Sequence, residues 1–151
     1  MKKTWSVYLS GEIHTDWRDR IAQGVEQAQL PVTLTAPVTD HPASDACGAE
    51  ILGSEQDPFW YDHKGAKVNA IRTRSLIEDA DIVVVRFGDK YRQWNAAFDA
   101  GYAAALGKSL ITLHDADLRH ALKEVDGAAL ATCSEPDQVV RLLDYVINGR
   151  L

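Results

Sequence analysis

Two carboxylate side chains occupy positions from which they could serve one reaction site. Asp99 lies in a segment whose helical spacing is otherwise filled by small, apolar residues, and Asn95 and Tyr102 fall on the same helix face. Glu12 follows the first predicted strand, in the segment that also holds His14. Two carboxylates in different environments can divide the roles of acid and nucleophile. In the alternative interpretation, Asp99 only stabilises the helix dipole and Glu12 belongs to a polar loop that leads into a helix cap.

Arginine side chains offer a second kind of chemistry, the binding of phosphate or carboxylate groups. Arg86 ends a predicted strand that faces the site, where its guanidinium can bind such a group through two parallel hydrogen bonds. Arg72 and Arg74 lie on a predicted helix. For at least one of these two, solvation of a helix face is the simpler interpretation.

Aromatic residues near the predicted loops, Trp60, Tyr61, Tyr91 and Trp94, belong to the core or to a lid, or one or two of them stack on a planar base. The histidines show neither HxxxH nor HxH spacing. The Gly-Lys pair at 107–108 ends a predicted helix, whereas the lysine of a P-loop opens one. We therefore expect no metal site and no nucleoside triphosphatase.

The elements that must position these residues alternate along the chain. Strands are predicted at 5–9, 32–36, 82–85, 109–113 and near 128–133, and helices at 16–29, 64–79, 94–106, near 117–124 and at 136–147. Segment 37–62 is predicted to be a long loop, and its aromatic end is predicted to pack over another part of the molecule. This alternation predicts an α/β fold in a single domain over 1–151. Its sheet is a flavodoxin-like, doubly wound, five-stranded parallel sheet of order 2-1-3-4-5.

In such sheets the ligand binds outside the carboxyl ends of the strands, at the point where the strand order reverses. Here that point lies between strands one and three, so the loops that follow these strands are predicted to build the site. The candidate substrate-binding residues are Ser10, Gly11, His14, Arg86, Gly88, Asp89, Trp94 and Asn95.

Length and composition limit the class of protein. The chain has 151 residues, of which 46% are hydrophobic, and a net charge of −6, which argues against binding a nucleic-acid polymer but not against binding a small phosphorylated ligand. Cys47 and Cys133 lie far apart in the sequence, which favours a reducing compartment. We see no signal peptide and no membrane-spanning run, so we expect a cytoplasmic protein.

Three segments resemble a known family. YLSG at 8–11 resembles the strand end YLAG, ADIVV at 80–84 resembles the entry to the strand before the active-site loop, and NAAFDAGYA at 95–103 resembles the helix GTAFEIGYA. These segments are similar to those of nucleoside 2-deoxyribosyltransferases and deoxynucleoside-phosphate N-glycosidases. The chain most closely resembles the YtoQ-type branch of that superfamily.

The resemblance implies roles for individual residues. Asp99 stands where the family has its glutamate nucleophile, and Tyr8 stands where a tyrosine holds that carboxylate. Aspartate is shorter by one methylene, which withdraws the carboxylate by about 1 Å, and such displacements can cost roughly 100-fold in rate. The resemblance places a loop acid of the family near Gln93 and leaves Asp89 as the candidate to substitute for it. The resemblance also implies no cofactor, and a homodimer or larger homo-oligomer, because relatives complete their sites across subunits.

The leading hypothesis is an enzyme that cleaves or exchanges an N-glycosidic bond of a nucleoside or nucleotide. Asp99 attacks or stabilises C1′, Glu12 is the second acid or base, Tyr8 orients Asp99, and Arg86 binds an anionic end of the substrate. The alternative is a non-catalytic nucleotide-binding or sensor domain of the same fold. A third, weaker interpretation is a flavodoxin-like redox protein.

Overall fold

The strand order β2-β1-β3-β4-β5 is the organising feature of the computed structural model, which describes residues 2–151. All neighbouring strands run parallel, and helices cover both faces of the sheet, so the predicted fold class is confirmed. The strands are β1 Trp5–Gly11, β2 Val32–Thr35, β3 Ile82–Arg86, β4 Ser109–Leu113 and β5 Ala131–Cys133. The helices are α1 Trp17–Gln27, α2 His41–Leu52, α3 Pro58–Asp79, α4 Trp94–Ala105, α5 Lys123–Ala128 and α6 Pro136–Asn148.

Successive strand residues enter two different cores, one on each face of the sheet. Val7 and Leu9 of β1 pack with Trp17 of α1 and with α6, while Tyr8 packs with α3 and α4. In β3, Val84 joins the α1/α6 core and Val85 joins the α3/α4 core. This period of two determines on which face each polar residue at a strand end lies.

The prediction of a long loop over 37–62 is wrong, because this segment contains α2 and the first turn of α3. Asp40 caps α2 by accepting a hydrogen bond from Ala43 N at 2.9 Å, and Asp57 caps α3 in the same way. The prolines at 42 and 58, which suggested a loop, stand in the first turns of these helices, where the missing N–H costs nothing.

Helix α2 lacks apolar periodicity because it packs chiefly against α3 rather than against the sheet. Two glycines allow this close approach. A Cβ at Gly48 would lie 2.3 Å from the carbonyl carbon of Lys64, and one at Gly65 would lie 2.8 Å from Asp45 O. The helices are therefore joined through small residues, which leave no hydrophobic stripe in the sequence.

Two further boundaries differ from the prediction. The helix predicted near 117–124 is a 3-10 turn over Ala116–Leu118 followed by α5, and the last strand begins at Ala131. With α2, residues 2–151 contain one α-helix more than predicted. Within residues 2–151, none of the helices is both long enough and apolar enough to span a membrane.

The carboxyl ends of β1 and β3 form the edge where the site was predicted. Gly11 pairs with Arg86 at the end of the β1–β3 ladder. On its other side β1 extends beyond the end of β2, because the last pair of the β1–β2 ladder is Tyr8 with Thr35. Residues 9–11 of β1 therefore have a strand neighbour on the β3 side alone.

Candidate functional site

Asp99 and Ser10 form the direct contact between α4 and the carboxyl end of β1. Ser10 Oγ donates a hydrogen bond to Asp99 Oδ2 at 2.6 Å, and the Ser10 side chain is fully buried. Ala96, Ala100 and Ala103 pack α4 closely onto the sheet, so that a short side chain on this helix reaches the strand. The period-two pattern of β1 turns Ser10 to the same face as Tyr8.

The environment of Asp99 has opposing effects on its carboxylate. Burial raises the pKa of Asp99, and the hydrogen bond from Ser10 lowers it, with a net rise. No other hydrogen bond to this carboxylate is formed within residues 2–151. Asp99 therefore has one oxygen held by the protein and one that a ligand can meet, as a nucleophile requires.

Tyr8 is fully buried beside this pair, and its hydroxyl has no hydrogen-bond partner in the described part of the chain. Burial is the largest influence and raises the pKa of Tyr8 to about 12. The nearby Thr73 side chain lowers the pKa, and the charge of Asp99 raises it. The Tyr8 hydroxyl therefore keeps its proton at neutral pH. Ser10 makes the contact to Asp99 that was predicted for Tyr8.

Glu12 is enclosed by donors at the start of the loop after β1. Its carboxylate accepts hydrogen bonds from His14 N at 2.7 Å, Thr15 N at 3.1 Å and Arg86 Nε at 3.1 Å, and a further one from the Thr15 hydroxyl. Burial raises the pKa of Glu12, but these donors outweigh it and lower the pKa overall. A carboxylate that is fully engaged and easily ionised does not favour the predicted acid–base role.

Arg86 lies on the opposite face of the sheet from Asp99. It follows Val85, which belongs to the α3/α4 core, and its side chain lines a cavity of about 290 Å³ with Trp17, Arg20 and Pro136 of the α1/α6 face. The sequence prediction required Arg86 to lie close to Asp99, and the structure does not bring these two residues together. A shift of one residue along a strand exchanges the two faces.

The two loops above the strand ends contact each other through aromatic rings. The rings of His14 and Tyr91 lie 5.0 Å apart, between the loop after β1 and the loop after β3. Gln93 shapes the second loop by accepting a hydrogen bond from Gly88 N at 2.9 Å and donating to Tyr91 O at 3.0 Å. Of the other predicted binding residues, Asp89, Trp94 and Asn95 are exposed and Gly88 is half-buried.

The sequence interpretation missed Arg18 of α1, a half-buried arginine that forms no ion pair within residues 2–151. It donates hydrogen bonds to Leu9 O at 3.0 Å, Glu12 O at 2.7 Å and Gly11 O at 3.2 Å. Burial lowers the pKa of Arg18 to about 10, and the charges of Glu12 and Tyr8 oppose this. The guanidinium takes the place of a strand neighbour along the part of β1 that outruns β2. Backbone acceptors leave no pattern in a sequence, so no signal could have revealed this contact.

A second polar cluster that the sequence interpretation missed joins β4 to α5. His114 is buried, with Nε2 2.9 Å from Asp126 Oδ2 and Nδ1 2.8 Å from Asp115 O, and Thr112 donates to Asp126 at 2.8 Å. Both ring nitrogens are engaged, so this histidine has no free nitrogen for chemistry. Within the described chain, no three His, Cys, Asp or Glu side chains converge closely enough to hold a metal ion.

Comparison with known proteins places this chain in a family. The model of the family described as nucleoside 2-deoxyribosyltransferase YtoQ matches residues 8–147. The chain belongs to the YtoQ family. A relative from Bacillus subtilis (strain 168), described as uncharacterized protein YtoQ, is 41% identical over 142 residues, which are 94% of this chain and 96% of that protein.

Solved structures support the fold of this YtoQ family member. A conserved protein from Enterococcus faecalis V583 has a TM-score of 0.65 at 13% identity, with 95% of this chain and 99% of that chain covered. A 2-deoxyribosyltransferase from Bacillus psychrosaccharolyticus has a TM-score of 0.54 at 16% identity, with 89% and 90% covered. At these identities the likeness establishes the fold alone.

The hydrogen bonds to Glu12 predict a defined pH dependence of stability. Because its pKa is lowered in the folded protein, Glu12 contributes stability above the unfolded value of about 4.3, and this contribution is lost as the pH falls through the folded value. Glu12→Gln should lower the free energy of unfolding by about 2–3 kcal/mol at pH 7. The difference between variant and parent should shrink towards pH 3 in denaturant titrations.

Asp62→Asn, at an exposed carboxylate in the second turn of α3, is the control and should follow the parent across the same pH range. A difference between Glu12→Gln and the parent that does not change with pH would contradict the assignment.

Proposed function

We propose that the protein cleaves or transfers the N-glycosidic bond of a nucleoside or nucleotide, with Asp99 as the nucleophile. The observation that carries the proposal is the half-buried Asp99 carboxylate, which Ser10 holds at one oxygen at the switch point of the sheet. The description of the matching family, nucleoside 2-deoxyribosyltransferase, supports the class of substrate. The described residues are proposed to act without a cofactor.

In the proposed reaction, an Asp99 oxygen forms a bond to C1′ while the bond from C1′ to the base nitrogen breaks. The electron pair leaves with the base, which takes up a proton from water, and the transition state resembles an oxocarbenium ion. Water or a second base then displaces the carboxylate from C1′, which distinguishes hydrolysis from transfer.

The remaining residues divide between positioning and binding in this proposal. Ser10 orients Asp99, and Tyr8 supplies a second hydroxyl next to the carboxylate. Glu12, joined to Arg86, stabilises the loop that carries His14. We propose that His14 and Tyr91 provide aromatic surface for a planar base.

A specific observation favours the alternative, a binding or sensor domain without catalysis. Glu12 is engaged by four donor groups, so the switch point offers Asp99 no second carboxylate as an acid–base partner. In that case the pocket binds a nucleoside or nucleotide, and the ligand is released unchanged.

We also propose that two copies of the chain associate through the outer face of α4. Trp94 and Phe98 are 73% and 64% exposed, and Gly101 and Ala105 continue the same stripe at helical spacing. An apolar stripe of this kind on the surface of a monomer marks an interaction site. The stripe lies on the helix that carries Asp99, on the side of that helix away from the buried Ala96 and Ala100.

Substitutions of Asp99 test the nucleophile. Asp99→Asn should abolish base release from a panel of nucleosides and nucleotides, because the amide cannot supply negative charge to C1′. Chromatography of the reaction mixtures measures the released base. Asp99→Glu should raise base release or create it, because the longer side chain recovers about 1 Å of reach. Binding of the ligands should survive both changes.

Asp117→Asn, at an exposed carboxylate of the 3-10 turn, is the control and should leave base release unchanged. Asp99 lies beyond the first turn of α4, which contradicts the helix-dipole interpretation. If Asp99 only holds Ser10, Asp99→Asn will cost roughly 0.5–1.5 kcal/mol of stability and leave turnover at the parent level. Binding in the parent without release of base from any ligand would favour the sensor.

Ser10→Ala tests the positioning of Asp99 through the pH profile. Loss of the hydrogen bond raises the pKa of Asp99 further, and only the ionised carboxylate attacks C1′. The acid limb of kcat/KM should therefore move to higher pH in Ser10→Ala. Tyr8→Phe should shift the acid limb less than Ser10→Ala does. A larger shift in Tyr8→Phe than in Ser10→Ala would indicate that Tyr8 orients Asp99.

The proposed association is tested by light scattering at micromolar concentration. The parent should be a dimer or larger, and Phe98→Glu should dissociate it, because the interface would bury an unpaired charge. Leu130→Glu, at an apolar residue that is 77% exposed outside the stripe, is the matched control and should keep the parent mass. A monomeric parent protein would contradict the proposed association.

A further inference from the structure

Two buried hydroxyl groups without a hydrogen-bond partner belong to residues that pair at the carboxyl ends of β1 and β2. Within residues 2–151, Tyr8 Oη and Thr35 Oγ1 are the buried side-chain polar atoms that form no hydrogen bond. Tyr8 and Thr35 are register partners, the last pair of the β1–β2 ladder, so both side chains lie on the α3/α4 face of the sheet. Buried polar groups are normally hydrogen-bonded, so these two hydroxyl groups call for a partner from outside the chain, either water or a ligand.

Two arginines approach the same strand ends from opposite sides of the sheet. Arg18 of α1 covers the part of β1 beyond β2, with bonds to three carbonyl oxygens. Arg72 of α3 donates to Ala36 O at 3.1 Å, and Ala36 is the residue directly after β2. The charges of both arginines act on the Tyr8 hydroxyl and lower its pKa, although burial sets the net rise.

The charge at this place is positive in a chain whose net charge is −6. Neither Arg18 nor Arg72 forms an ion pair in the described part of the chain, and both bond to neutral carbonyl groups. Asp99 is the carboxylate that acts on Tyr8 from α4, while Glu12 is already paired with Arg86. Two cations therefore face one anion, which leaves an excess of one positive charge.

We propose that the carboxyl ends of β1 and β2 bind an anionic group of the ligand, a phosphate or a carboxylate, through Arg18, Arg72 and the hydroxyl groups of Tyr8 and Thr35. The inference rests on the proposed function for the claim that the same ligand reaches Asp99. A guanidinium and a hydroxyl both donate hydrogen bonds to anionic oxygens. We propose these groups instead of Arg86, whose guanidinium is paired with Glu12, as the place where the anionic end of a ligand binds.

The test is calorimetric titration with inorganic phosphate and with acetate, which separates the two anion chemistries. At least one of them should bind, and binding should weaken as salt is added, because ions screen the arginine charges. Arg72→Ala should weaken binding by about tenfold. Arg74→Ala, the same change of charge two residues along α3, should stay within about twofold of the parent.

Tyr8→Phe separates a binding role from a structural one. Removal of an unsatisfied buried hydroxyl should leave the melting temperature of the free protein unchanged or higher, while the affinity for the anion falls. Asp99→Asn should bind the anion at least as tightly as the parent, because a negative charge is removed. Failure of both anions to bind, or parent-like affinity in Arg72→Ala and Tyr8→Phe, would overturn the inference.

Paired ligands distinguish this inference from the proposed function. Deoxyadenosine monophosphate should bind more tightly than deoxyadenosine in the parent and lose that advantage in Arg72→Ala. If this pattern is observed and no base is released, the result supports the anion site and contradicts the proposed reaction. If base is released equally from both ligands with equal affinity, the reaction stands and the anion site fails.

Discussion

The approach of β1 to β3 at Gly11 is the constraint on which the arrangement of the site depends. Gly11 has a φ of 111°, and a Cβ there would lie 2.0 Å from the carbonyl oxygen of Arg86. Only glycine fits this combination of backbone angle and distance. The ladder continues for one step beyond it, since Glu12 N donates to Arg86 O at 3.1 Å. This close pairing brings Glu12 to Arg86 and leaves Ser10, one residue earlier, facing Asp99.

The sheet divides the polar residues at its edge into two groups with different properties. On the α1/α6 side, Glu12 and Arg86 neutralise each other in a contact that two backbone N–H groups complete. On the α3/α4 side, Asp99 is held by a single neutral hydroxyl and its pKa is raised. A fully satisfied ion pair suits the support of a loop, whereas an underbonded, partly buried carboxylate suits contact with a ligand. Environment rather than residue type separates the two acids.

The strand order and the position of Asp99 were predictable because they follow from apolar runs and from the alternation of strands and helices. The face of the sheet on which Arg86 lies was not predictable. An unbroken β-branched run such as 82–85 does not show which residues point to which face. Helix α2 escaped prediction because it buries small residues against another helix, through Gly48 and Gly65. Arg18 escaped because its acceptors are backbone carbonyl groups, which every residue possesses.

The pairing of α2 with α3 has a consequence for how such a chain can vary. Asn69 donates to Ser44 O at 3.0 Å and Arg72 donates to Ala36 O, so one turn of α3 holds both the start of α2 and the exit from β2. Because α2 packs chiefly on α3, its length and outer surface can change while the strands and α4 stay in place. Helix α2 is thus an exchangeable part of the molecule, and evolution can reshape the surface that it forms with α3 without rebuilding the sheet.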